Sequence, residues 1–106
     1  MASQRSFVDY VCQQTAGAGA IAARPMFGEY GVYLNGKLVA LICDDQLFVK
    51  PTLAGRALAP DAADAAPYPG AKPSLLIADG LDDAAWLAAL VAATADELPA
   101  PKAKLR

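Results

Sequence analysis

Three cations, Arg24, Lys50 and Arg56, sit near the ends of runs that read as strands or a helix. Brought together, they would make an anion site. No glycine-rich or helix-initiating segment joins them in a phosphate-binding pattern, so solvated surface charge is the stronger reading. Asp44 and Asp45 form a carboxylate pair of the kind that metal sites and acid–base catalysis use. Adjacent residues in a two-residue turn point apart, and aspartate favours turns, so these two read as a turn. Cys12 and Cys43 are the two thiols of the chain. Neither belongs to a CxxC or has an evident cation to lower its pKa, which makes both small packed hydrophobes rather than zinc ligands or nucleophiles. Tyr30, Tyr33 and Phe48 lie on predicted strands, where stacked aromatics can hold single-stranded nucleic acid. They divide between two faces with few cations nearby, which favours packing. There is no histidine. That removes histidine-based acid–base chemistry, Ser-His-Asp and Cys-His sites, and histidine metal ligation. The residues predict no catalytic, cofactor or metal site, and the chain is read as non-enzymatic.

The balance of charge narrows the partners. The 106 residues carry 9 basic and 11 acidic side chains, a net charge of −2. Neither half is basic, whereas non-specific DNA binding draws on clustered Lys and Arg meeting phosphates. Composition therefore argues against a direct nucleic-acid binder. Hydrophobic residues make up 56% of the chain, enough for a single core, although much of that fraction is alanine. No basic-then-apolar leader and no apolar run of about 20 residues occurs, which predicts a cytoplasmic protein with no membrane segment.

The elements that must position these residues follow from spacing. Phe7, Val8, Val11, Cys12 and Thr15 form an apolar stripe on a helix over 3–15, with Ser3 as its cap. Gly17 and Gly19 end it. Residues 21–27 read as a first strand that lies at an edge or starts late, near Met26, because Pro25 cannot donate to a ladder, and Gly28 reads as a turn or bulge. Asn35-Gly36 between two β-forming runs is the strongest short hairpin signal. It pairs Leu34 with Lys37, Val32 with Val39 and Tyr30 with Leu41. A turn at Asp44-Asp45 pairs Ile42 with Leu47, Leu41 with Phe48 and Ala40 with Val49. Thr52 caps a short helix through Leu58. Residues 59–73, with four prolines, read as a surface loop, 74–78 as a strand and 79–98 as a helix begun by acidic residues. The order is α-β-β-β-β-α-β-α. The class is α+β, a two-layer fold with an antiparallel sheet of four to five strands and helices on one face. The domain spans 1–98, and 99–106 form a short basic tail.

At Arg24-Pro25-Met26-Phe27-Gly28 the chain becomes recognisable. The stretch RPMFGEYGVYLNGKLVALICDDQLFVKP resembles the N-terminal domain of the TfoX/Sxy family of bacterial competence regulators. That family's pattern, RxMFGxYGxYxxGxxxAxxxxxxLxxK, is met by Arg24, Met26, Phe27, Gly28, Tyr30, Gly31, Tyr33, Gly36, Ala40, Leu47 and Lys50. The resemblance runs over about 3–98 as a stand-alone domain. It implies a two-layer fold like that of secretion-chaperone-like proteins. It also implies a role in transcription regulation, since longer members act with the catabolite-activator protein at promoters of DNA-uptake genes. It carries over no catalytic residues and no cofactor.

The predicted register makes both sheet faces apolar. Helices on one face leave Tyr30, Val32, Val39, Leu41 and Phe48 together on the other. An apolar patch beyond a few hundred Å² is seldom left in water by a monomer. A homodimer or a protein partner is therefore expected there, and a regulatory protein-interaction module is the leading reading. The alternatives are a weak nucleic-acid binder, using Arg24, Lys50 and the basic tail, and a small-ligand-binding protein or enzyme with a pocket by loop 59–73.

Overall fold

A computed structural model describes residues 3–99. Within it, six strands form one antiparallel sheet and three α-helices form a second layer. The strands are β1 (Ile21–Met26), β2 (Glu29–Leu34), β3 (Lys37–Cys43), β4 (Gln46–Val49), β5 (Ala63–Ala65) and β6 (Ser74–Ile77). Their spatial order is β1-β2-β3-β4-β6-β5. The helices are α1 (Arg5–Thr15), α2 (Leu53–Leu58) and α3 (Ala84–Glu97). The expected α+β class and order hold, with one more strand than expected. The addition is β5, three residues of the presumed loop that pair with β6. The predicted basic tail lies outside the described residues, apart from Pro99. No described helix is long and apolar enough to cross a membrane.

The first four strands are a meander of three two-residue hairpins. Phe27-Gly28, Asn35-Gly36 and Asp44-Asp45 each have positive φ at both central residues, as a type I′ turn requires. A two-residue turn makes Met26 and Glu29 a hydrogen-bonded pair, so Pro25 opposite Tyr30 falls in a non-hydrogen-bonded pair. The missing N–H of Pro25 therefore faces the open edge and costs no ladder bond.

The register of the second hairpin departs from expectation. Leu34 faces Lys37 and Tyr33 faces Leu38, but Val32 then faces Ala40, Gly31 faces Leu41 and Tyr30 faces Ile42. Val39 is the extra residue of a β-bulge, and its carbonyl still accepts the Lys50 N–H at 2.9 Å. A one-residue shift moves side chains to the other face. Val39 and Ala40 are both fully buried, beside Val32, Ile42, Leu47 and Val49, under the helices. The third hairpin has the predicted pairs.

The core lies between this face and the helices. α3 packs against both α1 and α2 and lies over β2 and β3. Its Leu87, Leu90 and Val91 meet Val8 and Val11 of α1 and Leu75 and Ile77 of β6. Residue types at the helix ends explain the boundaries. The Asp83 carboxylate accepts the Trp86 N–H at 3.1 Å and starts α3 later than the sequence suggests. Lys37, at the head of β3, donates from Nζ to the carbonyls of Ala95 (2.7 Å) and Leu98 (3.1 Å), a cation on the negative end of α3. The Thr52 hydroxyl accepts the Gly55 N–H as predicted, and Glu97 takes the N–H groups of Leu53 and Ala54.

Ser3 does not cap α1, whose N-cap is Gln4 without a side-chain bond. Ser3 instead ties the start of the chain to the sheet. Its N–H donates to Glu29 at 2.8 Å, and its hydroxyl accepts the Asp45 N–H at 2.9 Å.

Candidate functional site

The second face of the sheet is where strand alternation and the bulge send the remaining side chains. Met26, Gly31, Tyr33, Leu38, Leu41, Cys43, Phe48 and Leu76 fall on it, with Arg24 at one margin. Among the described residues no helix covers it. Gly31 sits in a hollow between the side-chain ends of Leu38, Met26 and Tyr33. Tyr33, Leu38, Leu41 and Leu76 remain half-exposed.

A cavity of about 410 Å³ opens on this face. Leu41, Cys43, Met26 and Tyr30 line it, with Tyr68 from the loop after β5, and with Phe27 and Glu29 from the first hairpin. Phe27 is 94% exposed and holds φ at 51°. A large aromatic at positive φ is an outlier outside turns and uncommon within them. The first hairpin thus lifts an aromatic ring off the surface at the mouth of an apolar cavity.

One polar group beside the cavity is fully engaged. The Glu29 carboxylate accepts the Ser3 N–H and the Asp44 N–H, each at 2.8 Å. Burial pulls this carboxyl upward, but the Asp44 N–H and the N–H and hydroxyl of Ser3 outweigh it and hold it below its ordinary range. Asp45 accepts the Gln4 N–H at 2.7 Å. The Asp44-Asp45 pair is therefore a turn and a tether, in keeping with the turn reading. Cys43 is buried in the cavity wall, and burial, followed by the charges of Glu29 and Asp44, pushes its thiol up. Cys12 is raised as well, by burial and then by Asp9, against a smaller opposing effect of Arg5. Both thiols are protonated near neutral pH and poor nucleophiles. Among the described residues no group of three or more His, Cys, Asp or Glu could hold a metal ion.

The residues singled out from sequence are dispersed. Val32 and Val39 belong to the core at 0% exposure, and Tyr30 packs against that core. Phe48 does lie on the open face but is only 4% exposed, and Leu41 alone of the five is both on that face and half-exposed. The expected exposed patch is corrected accordingly: the bulge sends Val32 and Val39 inward and Tyr33 and Leu38 outward. Arg24, Lys50 and Arg56 do not converge. Arg24 stands 5.2 Å over the Tyr33 ring, on edge strand β1. Arg56 is committed to the carbonyls of Ala59, Pro60 and Ala62 and to Asp64 of β5, the opposite edge. Five strand spacings, about 24 Å, separate those edges. Lys50, after β4, lies between them.

Loop 59–73 does border cavities, as the sequence suggested. Besides Tyr68, its first residues join Leu76, Asp79 and Trp86 around a second cavity of about 380 Å³. Trp86 is fixed there by its Nε1–H, which donates to the Leu58 carbonyl at 2.9 Å. Phe27 and Tyr68 escaped sequence reasoning. Gly28 does mark a turn, as the sequence suggests, but phenylalanine is not a turn residue, so the sequence puts Phe27 at the end of the strand rather than in the turn.

The sequence pattern described as the TfoX N-terminal domain matches residues 13–98. The chain belongs to the TfoX N-terminal domain family. The match takes in all six strands, α2, α3 and the last residues of α1, so the open face and its cavity are parts of the TfoX-type domain. A second similarity is to the "Uncharacterized 12.7 kDa protein in trpE 5'region" of Spirochaeta aurantia. It is 36% identical over 102 residues, covering 96% of this chain and 89% of that protein.

Proposed function

We propose that this TfoX-type domain is a non-enzymatic regulatory module that works by protein–protein contact through the open face of its sheet. One observation carries the reading: a large aromatic, Phe27, held exposed at positive φ beside a half-exposed apolar face. Such a face rimmed by polar groups is characteristic of interaction sites. Three further points support it. The raised thiols, the absence of histidine and the structural engagement of Glu29, Asp45, Asp83 and Glu97 leave few groups for catalysis. The dispersal of Arg24, Lys50 and Arg56 favours control of transcription through another protein over direct grip on nucleic acid. Two free thiols suit a reducing compartment such as the cytoplasm.

The test is genetic. Deleting the gene in its host should change the levels of a defined set of transcripts. Leu41→Asp, which charges the open face while leaving the helix-covered core untouched, should reproduce that change at normal protein abundance. A transcript profile indifferent to both alterations overturns the reading.

A ligand-binding reading has its own observation, the cavity walled by Trp86 and Asp79. A metabolite screen by thermal shift addresses it, since a ligand that binds only the native state raises the melting temperature. A hit abolished by Trp86→Ala would favour it.

A further inference from the structure

We propose that the cavity beside Leu41 and Cys43 is the socket for Phe27 of a second copy of this chain, so that two molecules exchange hairpin tips across a two-fold axis. This rests on the open-face reading above and names its partner. The knob and the socket belong to one patch: Phe27, 94% exposed, stands at the mouth of a cavity of about 410 Å³. A patch that carries both halves of a contact is self-complementary. Two copies close on each other and no further copy can add, which is the isologous arrangement of a two-fold dimer.

Area decides that the tip is required. From strand spacing and rise, the open face from β1 to β6, four strand spacings, measures at most about 19 Å by 17 Å, or roughly 320 Å² per copy. Two such faces bury at most about 640 Å², well short of the roughly 1,000 Å² that a specific interface needs. A buried phenylalanine removes on the order of 150–250 Å², so two exchanged tips lift the total to about 940–1,140 Å². The flat faces alone fall short, and only with both tips does the total come to about the required size. Edge-to-edge pairing is the competing route. It is obstructed because Pro25 presents no N–H on the outer side of β1. The small total area places the dimer among weak, reversible ones, suited to a regulator that changes partners.

Sedimentation of the full chain across a concentration series measures the equilibrium directly. A monomer–dimer equilibrium in the micromolar range is expected. Phe27→Asn should weaken it at least about a hundredfold, as loss of a central aromatic anchor from both subunits does. Circular dichroism checks that the variant is folded. Geometry is tested by Phe27→Cys in a Cys12→Ser background at several hundred micromolar, where a dimer weakened about a hundredfold by loss of the ring is still populated. Mild oxidation should link the introduced thiol to Cys43 of the other copy and give a covalent dimer on non-reducing electrophoresis. A chain that stays monomeric at several hundred micromolar overturns the proposal. So does a dimer indifferent to Phe27→Asn, or oxidation that yields only an intramolecular bond. A monomer whose Leu41→Asp variant still alters transcription overturns self-association and leaves the regulatory reading standing. A reciprocal dimer with no transcript effect does the reverse.

Discussion

Replacing Phe27 by asparagine should make the monomer more stable. The ring is 94% exposed, so removing it forfeits almost no packing. The backbone at this position holds φ 51°. For an L-residue other than glycine the left-handed region costs roughly 1–2 kcal/mol, and asparagine is among the few that visit it routinely. Relief of about 1 kcal/mol is expected. For a domain near 100 residues that moves the melting temperature up by about 4 °C or slightly more. The neighbouring turn supplies the control. Asn35, at the same turn position with φ 51°, accepts the Ala20 N–H on its side chain at 3.0 Å and donates its own N–H to the Ala20 carbonyl. Asn35→Phe should therefore lose both the favourable residue type and a hydrogen bond, about 2 kcal/mol. The assay is thermal and urea denaturation at a concentration low enough to keep the chain monomeric, with an unchanged urea slope as the check on two-state behaviour. A fall in the midpoint for Phe27→Asn would refute the reasoning, because it would mean that the ring packs against its own molecule.

Gly80→Ala should destabilise by about 2–3 kcal/mol in chemical denaturation, through overpacking and strain together. Gly80 has φ 91°, and a Cβ there would lie 2.8 Å from the Trp86 ring, which its Nε1–H bond to Leu58 keeps from moving away. Lys37→Met should cost about 1 kcal/mol, since the Nζ holds two carbonyls at the negative end of α3; the loss should appear as faster amide exchange in the last turn of that helix. The Glu29 carboxyl has a folded-state pKa below its unfolded value, so its contribution is present above about pH 4.3 and is lost as pH falls through the folded pKa. Glu29→Gln should flatten the fall in stability on the acid side of pH 4.3 relative to the parent chain, and an identical acid limb for the two would remove Glu29 as the tether.

Much of this fold was legible because local rules and tertiary structure agree. Asn35-Gly36 specified its hairpin, Pro25 limited β1 to an edge position or a late start, of which the edge holds, and Thr52 specified the start of α2. The faces were not legible, and the reason is one residue. Nothing in the run Lys37–Cys43 distinguishes a regular ladder from one in which Val39 bulges, since every residue from Leu38 to Cys43 is apolar. Alternation carries information only where one face is polar. Without that contrast, the slip reversed the places of Val32 and Tyr33 and of Val39 and Leu38. It also took the candidate interaction face with it. Tyr68 was illegible for another cause: the loop after β5 is positioned by tertiary contacts alone.

The three hairpins of the meander use the same turn geometry with unequal chemistry. Asn-Gly suits it well, and Asp-Asp tolerates it with help from bonds at Asp44 N–H, Asp45 N–H and the Asp45 carboxylate. Phe27-Gly28 has neither advantage: the residue type is unsuited, and the exposed ring gains nothing from its own molecule. A local choice that opposes the fold without a compensating contact is the signature expected of a position chosen for something outside the fold. Stability alone would put asparagine at residue 27, as at residue 35. The strained, exposed ring is the observation on which the proposed exchange of hairpin tips rests, with Phe27 of one copy entering the apolar cavity of the other.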